Sequence, residues 1–185
     1  LTCAGNSERE VRTRLLPISG GAYRVEVESR CGPGEDWLLH FDAKVSTDTT
    51  AKPAKIPRPN VTFEPIDQDR LLLGERGVQF GPRWMCLQSA NAYGRFAACE
   101  VELQAAFVED LETYRVHPAL LDVAAAVGLF LIRGAARQRG LYAPLAIDSI
   151  VLRSRLPRRF SAFARLRDIE PGKQATFDVD LCDPS

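Results

Sequence analysis

The chain has 185 residues, 45% hydrophobic and 26% charged, and its 24 basic and 24 acidic side chains balance to zero. That length supports one good core or two small units sharing one, and the composition is that of an ordinary globular protein. Zero net charge argues against nucleic acid as a partner, and no apolar run reaches membrane-spanning length. Cys3, Cys31, Cys86, Cys99 and Cys182 are odd in number and scattered, without a C-x-x-C pair. Neither a zinc site nor a disulfide framework is expected from them, so no metal is predicted and a reducing cytoplasm is the expected location. The chain starts at Leu1 rather than methionine and reads as a piece of something larger.

Residues 1–10 are polar and expected to fray. Residues 11–16 form a predicted strand, followed across Gly20-Gly21 by a second in which Tyr23, Val25 and Val27 face one way and Arg24, Glu26 and Glu28 the other. Cys31-Gly32-Pro33-Gly34 predicts another turn and residues 37–45 a third strand, which completes a meander. Pro53, Pro57, Pro59 and Pro65 then mark residues 46–65 as an extended linker, where we place a domain boundary. A short helix is expected over 66–75, ended by Gly77, and residues 77–84 form a turn that brings aromatics close to backbone. In 97–103, Cys99, Val101 and Leu103 alternate with Glu100 and Glu102, as a half-buried strand requires.

The run 114–133 is the predicted central helix. His117 precedes Pro118, a favoured first helical residue, and the apolar character all round predicts burial on every side, with a stop near Gly140. Strands are expected at 145–152, led in by Tyr142 and Pro144, at 160–166 and at 175–181, the last two joined through Glu170-Pro171-Gly172. A helix followed by antiparallel strands that wrap it is an α+β layer arrangement. Asp122 is the one carboxylate in the central run. Held in an apolar pocket it would stay protonated and serve as a general acid; alternatively it caps the first turn or pairs with an arginine.

His117-Pro118-Ala119-Leu120-Leu121-Asp122 and Gly77-Val78-Gln79-Phe80-Gly81-Pro82-Arg83-Trp84 resemble two motifs of polyketide synthase dehydratase domains, HPALLD and G-x-x-Y-G-P-x-F. Trp37-Leu38-Leu39-His40 resembles the W-x-x-H that closes the first hotdog of that family. Their order and separation also fit, and the likeness runs from about Val11 onward. The resemblance implies a double hotdog, an antiparallel sheet wrapped around a central helix, with the first hotdog incomplete. Residues 1–45 would be the C-terminal part of the first hotdog, 46–65 the linker and 66–185 the second hotdog.

The implied activity is that of a modular synthase dehydratase, which removes water from a 3-hydroxyacyl thioester on an acyl carrier protein to give an enoyl thioester. Asp122 would be the catalytic acid, with Phe80, Gly81, Pro82, Trp84, His117, Pro118 and Ala126 along the substrate channel. No cofactor is implied beyond the phosphopantetheine of the carrier; the implied partners are that carrier, neighbouring synthase domains and a second copy in a homodimer. Two departures stand out. The H-x-x-x-G-x-x-x-x-P motif of the family's catalytic base is not in this chain, whose two histidines are His40 and His117. The Gln or His usual four residues after the aspartate is Ala126. These departures keep open an isomerase or cyclase on the same fold, or a degenerate docking and dimerisation module. His40 reads as a structural histidine and His117 as a positioner of the helix start rather than a base. The arginines between Arg133 and Arg167 read either as a dock for an acidic carrier or as a solvated surface.

Overall fold

The computed structural model describes residues 8–47, 56–66, 80–132, 144–170 and 174–183, and the chain divides into two compact units between Lys52 and Pro53. The first unit is the expected meander: β1 (Glu10–Ile18), β2 (Ala22–Arg30) and β3 (Leu38–Ser46), antiparallel in that order. Charge helps set its register, because Glu10 lies opposite Arg30, Arg12 opposite Glu28 and Arg14 opposite Glu26. Arg12 meets Glu28 at 2.8 Å and Arg30 meets Glu10 at 2.6 Å. Opposite-charge pairs of this kind contribute about 0.2–1 kcal/mol each. Arg12 and Arg30 also lie over the Trp37 ring, at 3.8 and 4.6 Å. The β1–β2 turn needs glycine: Gly20 and Gly21 have φ of 77° and 71°, where side chains are strained.

The alternation expected along β2 holds only in part. Val25 and Val27 are half-buried, but Tyr23 is exposed and Glu28, expected outward, is buried. Glu28 tolerates burial because it is paired. The Arg12 hydrogen bond holds its carboxyl below the usual range, burial opposes, and the charges of Arg12 and Arg14 reinforce. His40, on β3, is exposed and ties that strand to β2 through Ser29, whose Oγ lies 2.7 Å from His40 Nε2.

The second unit is a five-stranded antiparallel sheet in the order β4 (Glu64–Pro65), β5 (Leu87–Tyr93), β6 (Phe96–Glu102), β7 (Arg159–Glu170) and β8 (Gln174–Cys182). The last two residues of the expected linker are thus taken into the sheet. On β6 the predicted alternation is present: Ala97, Cys99 and Val101 are buried, as is Leu103 just beyond, while Glu100 and Glu102 stay partly exposed. Ala175, Phe177, Val179 and Leu181 of β8 likewise pack onto the core from the sheet's edge.

Among the described residues, two α-helices precede β7: α1 (Asp110–Thr113) and α2 (Pro118–Ala126), the latter continuing as a 3-10 turn over Val127–Leu131. α2 and this turn lie against β6 and β7. Ala119, Leu120, Val123, Ala124, Val127, Gly128 and Leu131 are buried, a stripe at helical spacing. The expectation of one long helix buried on all sides is therefore corrected. Tyr114 is already extended at the end of α1, regular α-helix ends at Ala126, and Pro118, Asp122 and Ala125 are exposed. Apolar composition all round does not give burial all round when, within this unit, a sheet covers one side.

The predicted strand 145–152 does not form. Leu145, Ile147, Ile150 and Leu152 are exposed, Leu145 at 89%. In the sheet order β7, the next strand in sequence, has β6 on one edge and β8 on the other, so no ladder is open directly beside it. Most of the helix expected at 66–75, the Gly77–Gln79 part of the turn, Arg133, the cap at Gly140, Tyr142 and Pro171-Gly172 lie outside the described residues. The hairpin expected across 170–172 is nevertheless framed by the pairing of Glu170 with Gln174.

Close helix-to-sheet packing yields one sharp expectation. A Cβ added to Gly128 would sit 2.8 Å from the Phe177 ring. Gly128→Ala should therefore destabilise the chain by about 1–3 kcal/mol, as overpacked cores do. Urea unfolding checks this, with Phe177→Leu in the same chain expected to recover part of the loss.

Candidate active site

Three local elements meet at the start of α2. Pro82–Trp84 form a 3-10 turn, closed by Trp84 N–H to the Gly81 carbonyl at 3.0 Å and Met85 N–H to the Pro82 carbonyl at 3.2 Å. α1 contributes Asp110, and the His117-Pro118 step opens α2. His117 is extended (ψ 124°), as a residue before proline prefers, and its carbonyl accepts the first helical bond from Leu121 N–H at 3.1 Å. Proline in the next position forfeits only a donor that would have gone unpaired. Between these elements lies a pocket of about 190 Å³, lined by Arg83, Trp84, Asp110, Tyr114, His117, Pro118 and Ala119.

The His117 ring is buried, and its Nε2 lies 3.3 Å from Asp110 Oδ2 while Tyr114 stands edge-on to it. Arg83 meets the same Asp110 carboxylate with Nε at 2.6 Å and Nη2 at 3.4 Å. That guanidinium holds the Asp110 carboxyl below the usual carboxylate range; burial opposes it and the His117 hydrogen bond adds to it. The result is a fixed Arg83–Asp110–His117 chain that pins the first residue of the helix to α1 and the turn. Asp110 was not singled out from sequence, where it is one of several acids in residues 109–112. Nothing in its spacing marks it.

Asp122 lies one turn into α2, on the outward side. It is exposed, which corrects the expectation of a carboxyl enclosed in apolar surroundings. Nor does it cap the helix or pair with an arginine among the described residues. Trp84 Nε1–H donates to Asp122 Oδ2 at 2.8 Å. Trp84 is half-buried against the core edge, whereas Phe80, Gly81, Pro82 and Pro118 are exposed. Trp84, at the far end of the turn, reaches α2 through this bond. Ala126, half-buried at the helix end, presents a methyl one turn beyond Asp122.

Nearby thiols are unsuited to nucleophilic work. Burial pushes the Cys86 thiol up to about 11, with the charge of Asp122 adding to the rise, and Cys99 up to about 12. Among the described residues no group of His, Cys, Asp and Glu is placed to hold a metal ion, and no helix is long and apolar enough to cross a membrane. The arginines after residue 150 engage their own chain. Arg155 donates to the Leu111 carbonyl and Arg158 to that of Leu103, both at 3.1 Å, and Arg165 and Arg167 both reach Asp178.

Comparison with known proteins places this arrangement. The model of one family, described as the polyketide synthase dehydratase N-terminal domain, matches residues 64–185. The spectinabilin polyketide synthase system protein NorA' of Streptomyces orinoci is 32% identical over 144 residues, 72% of this chain and 4% of that protein. Among solved structures, the dehydratase domain from the CurK module of the curacin polyketide synthase superposes with a TM-score of 0.79 at 21% identity. That match covers all of this chain and 66% of the other. The bifunctional dehydratase-cyclase domain in ambruticin biosynthesis superposes at 0.69 with 22% identity, covering 95% of this chain and 62% of that one. The chain thus spans a small fraction of the synthase and about two thirds of each solved domain. Its fold is the α+β hotdog of these domains, with the first hotdog incomplete. The match over residues 64–185 makes this chain a member of the polyketide synthase dehydratase family.

Proposed function

We propose that this chain is the acid-bearing part of a dehydratase domain in a modular polyketide synthase. The substrate is a 3-hydroxyacyl thioester carried on the phosphopantetheine of an acyl carrier protein. A base takes the proton beside the thioester carbonyl, the β carbon–oxygen bond breaks, and Asp122 gives its proton to the leaving hydroxyl, which departs as water. Positioned proton donors of this kind contribute roughly a hundred- to ten-thousand-fold in rate. The observation that carries the reading is a carboxyl exposed beside a pocket and held there by an indole N–H at 2.8 Å.

The base comes from elsewhere in the parent polypeptide. His117 Nε2 faces Asp110 and His40 Nε2 faces Ser29, so both histidines of this chain have structural tasks. Residues 66–185 are then the second hotdog and 1–45 the end of the first. The order of the motifs, FGP before HPALLD, supports this division, although the matching family model is described as an N-terminal domain. Phe80, Gly81, Pro82, Trp84, His117, Pro118 and Ala126 border the acyl channel in this reading. The partners are the carrier protein, neighbouring synthase domains and a second copy in a homodimer, in the cytoplasm, with no cofactor of its own.

The test compares the isolated chain with its parent on a 3-hydroxyacyl N-acetylcysteamine thioester, following water loss by mass spectrometry. The parent should yield the enoyl thioester and the isolated chain should not. Turnover by the isolated chain that survives both His40→Ala and His117→Ala would overturn the two-residue mechanism. A parent that binds the thioester without dehydrating it would favour the second reading, a cyclising or docking relative, which the exposure of Asp122 and the methyl at Ala126 also support.

A further inference from the structure

We infer that Trp84 is the positioning residue for Asp122, holding the carboxyl from outside a helix that cannot hold it from within. An exposed carboxylate on a helix rotates freely about its side-chain bonds unless a neighbour fixes it, and its neighbours on the same face are three and four residues away. For Asp122 these are Pro118, Ala119, Ala125 and Ala126. None of the four carries a side-chain donor. The donor comes instead from the 3-10 turn Pro82–Trp84, through the 2.8 Å bond from Trp84 Nε1 to Asp122 Oδ2.

The turn that carries this indole is itself anchored. Arg83, its neighbour in sequence, clasps Asp110, and the Arg83 guanidinium lies 4.5 Å over the Phe107 ring. Trp84 packs on the edge of the core, so the indole has one wall to rest on and one polar atom to aim. Indole Nε1–H is a donor only, so it bonds an acceptor oxygen of the carboxyl and leaves the other oxygen, Oδ1, available to carry the proton. A bond of this length fixes both the position and the orientation of the carboxyl.

The inference rests on Asp122 being the acid of the proposed reaction, so its test has one arm independent of activity. The chain has two tryptophans, Trp37 and Trp84, hence two indole N–H signals in a proton–nitrogen correlation spectrum. The Trp84 signal should move as Asp122 protonates, and that movement should vanish in Asp122→Asn. Movement caused by Asp110 or His117, which line the same pocket, would persist in Asp122→Asn. An identical pH response in the two proteins overturns the inference.

The second arm uses the parent synthase. Trp84→Phe keeps the apolar ring and removes the donor, so kcat should fall about ten- to a hundred-fold with little change in KM, the scale of one hydrogen bond to a charged group. Adding Ala126→Gln places an amide one helical turn from the carboxyl and should restore most of that rate. A parental kcat in Trp84→Phe, or no recovery in the double variant, assigns Trp84 to packing alone and overturns the inference. Should Asp122→Asn dehydrate normally, the reading of Asp122 as the acid fails, while the spectroscopic arm still reports on the bond.

Discussion

Asp122→Asn in the parent synthase is expected to lower the dehydration rate by roughly a hundred- to ten-thousand-fold, the range a positioned acid supplies. The substitution is nearly isosteric, and an asparagine carbonyl oxygen can still accept the bond from Trp84 Nε1 that Asp122 Oδ2 accepts at 2.8 Å. Shape and positioning are thereby kept while the transferable proton is removed. Because Asp122 is on the exposed side of α2, no core contact is lost, and unfolding of the variant chain should match the parent within about 0.5 kcal/mol. Asp122→Ala removes the acceptor as well, so it would mix two effects. Quenched assays on a 3-hydroxyacyl thioester, read by mass spectrometry, distinguish the outcomes. Full dehydration by Asp122→Asn would mean that the carboxyl is structural and that the family likeness covers fold without this chemistry.

The parts of this fold that were legible in the sequence are those where one local signal dominates. Alternation of Cys99, Val101 and Leu103 with Glu100 and Glu102 gave a strand whose buried face is fixed by period two, and His117-Pro118 gave the start of α2 within a residue. The glycine pair at 20 and 21 gave the β1–β2 turn because the backbone there has positive φ. What failed depended on neighbours that no local pattern encodes. Residues 145–152 have strand composition, but β7 already has a partner on each edge. The run 118–131 is apolar except for Asp122, yet the sheet of its own unit covers one side of it, which leaves Asp122 and Ala125 outward.

The site shows the same division. The HPALLD and FGP motifs located Asp122, His117 and the turn ahead of Trp84, but not the bonds among them. Asp110 and Arg83 became visible only when folding brought residues 27 apart to 2.6 Å. The apolar run around Asp122 also suggested an enclosed carboxyl, because a helix that is apolar on all faces is usually surrounded. Sequence could say that Ala126 offers Asp122 nothing; only geometry could say that an indole 38 residues earlier does.

The largest loss of stability is expected at Phe160. This side chain is 1% exposed, stands on β7 opposite Val101 of β6, and belongs to the cluster that includes Leu120, Val123 and Val127 beneath α2. Truncation to alanine removes a whole ring from a site walled by strands on both sides and a helix above, so collapse can refill little of the space. Buried Phe→Ala changes of this kind cost about 3–5 kcal/mol, against a total stability of about 5–15 kcal/mol for a domain. Phe160→Leu keeps most of the volume and should cost about 1.5 kcal/mol or less. Urea unfolding of the two variants measures the difference directly, and it should exceed 1 kcal/mol. The functional consequence follows from the packing: α2 rests on this cluster with one face and carries Asp122 on the other, so Phe160→Ala should loosen the bond to Trp84 as well. The Trp84 indole signal should then broaden or shift toward that of Asp122→Ala, without any change at the carboxyl itself. A Phe160→Ala chain as stable as the parent would mean that α2 is held by contacts other than this cluster.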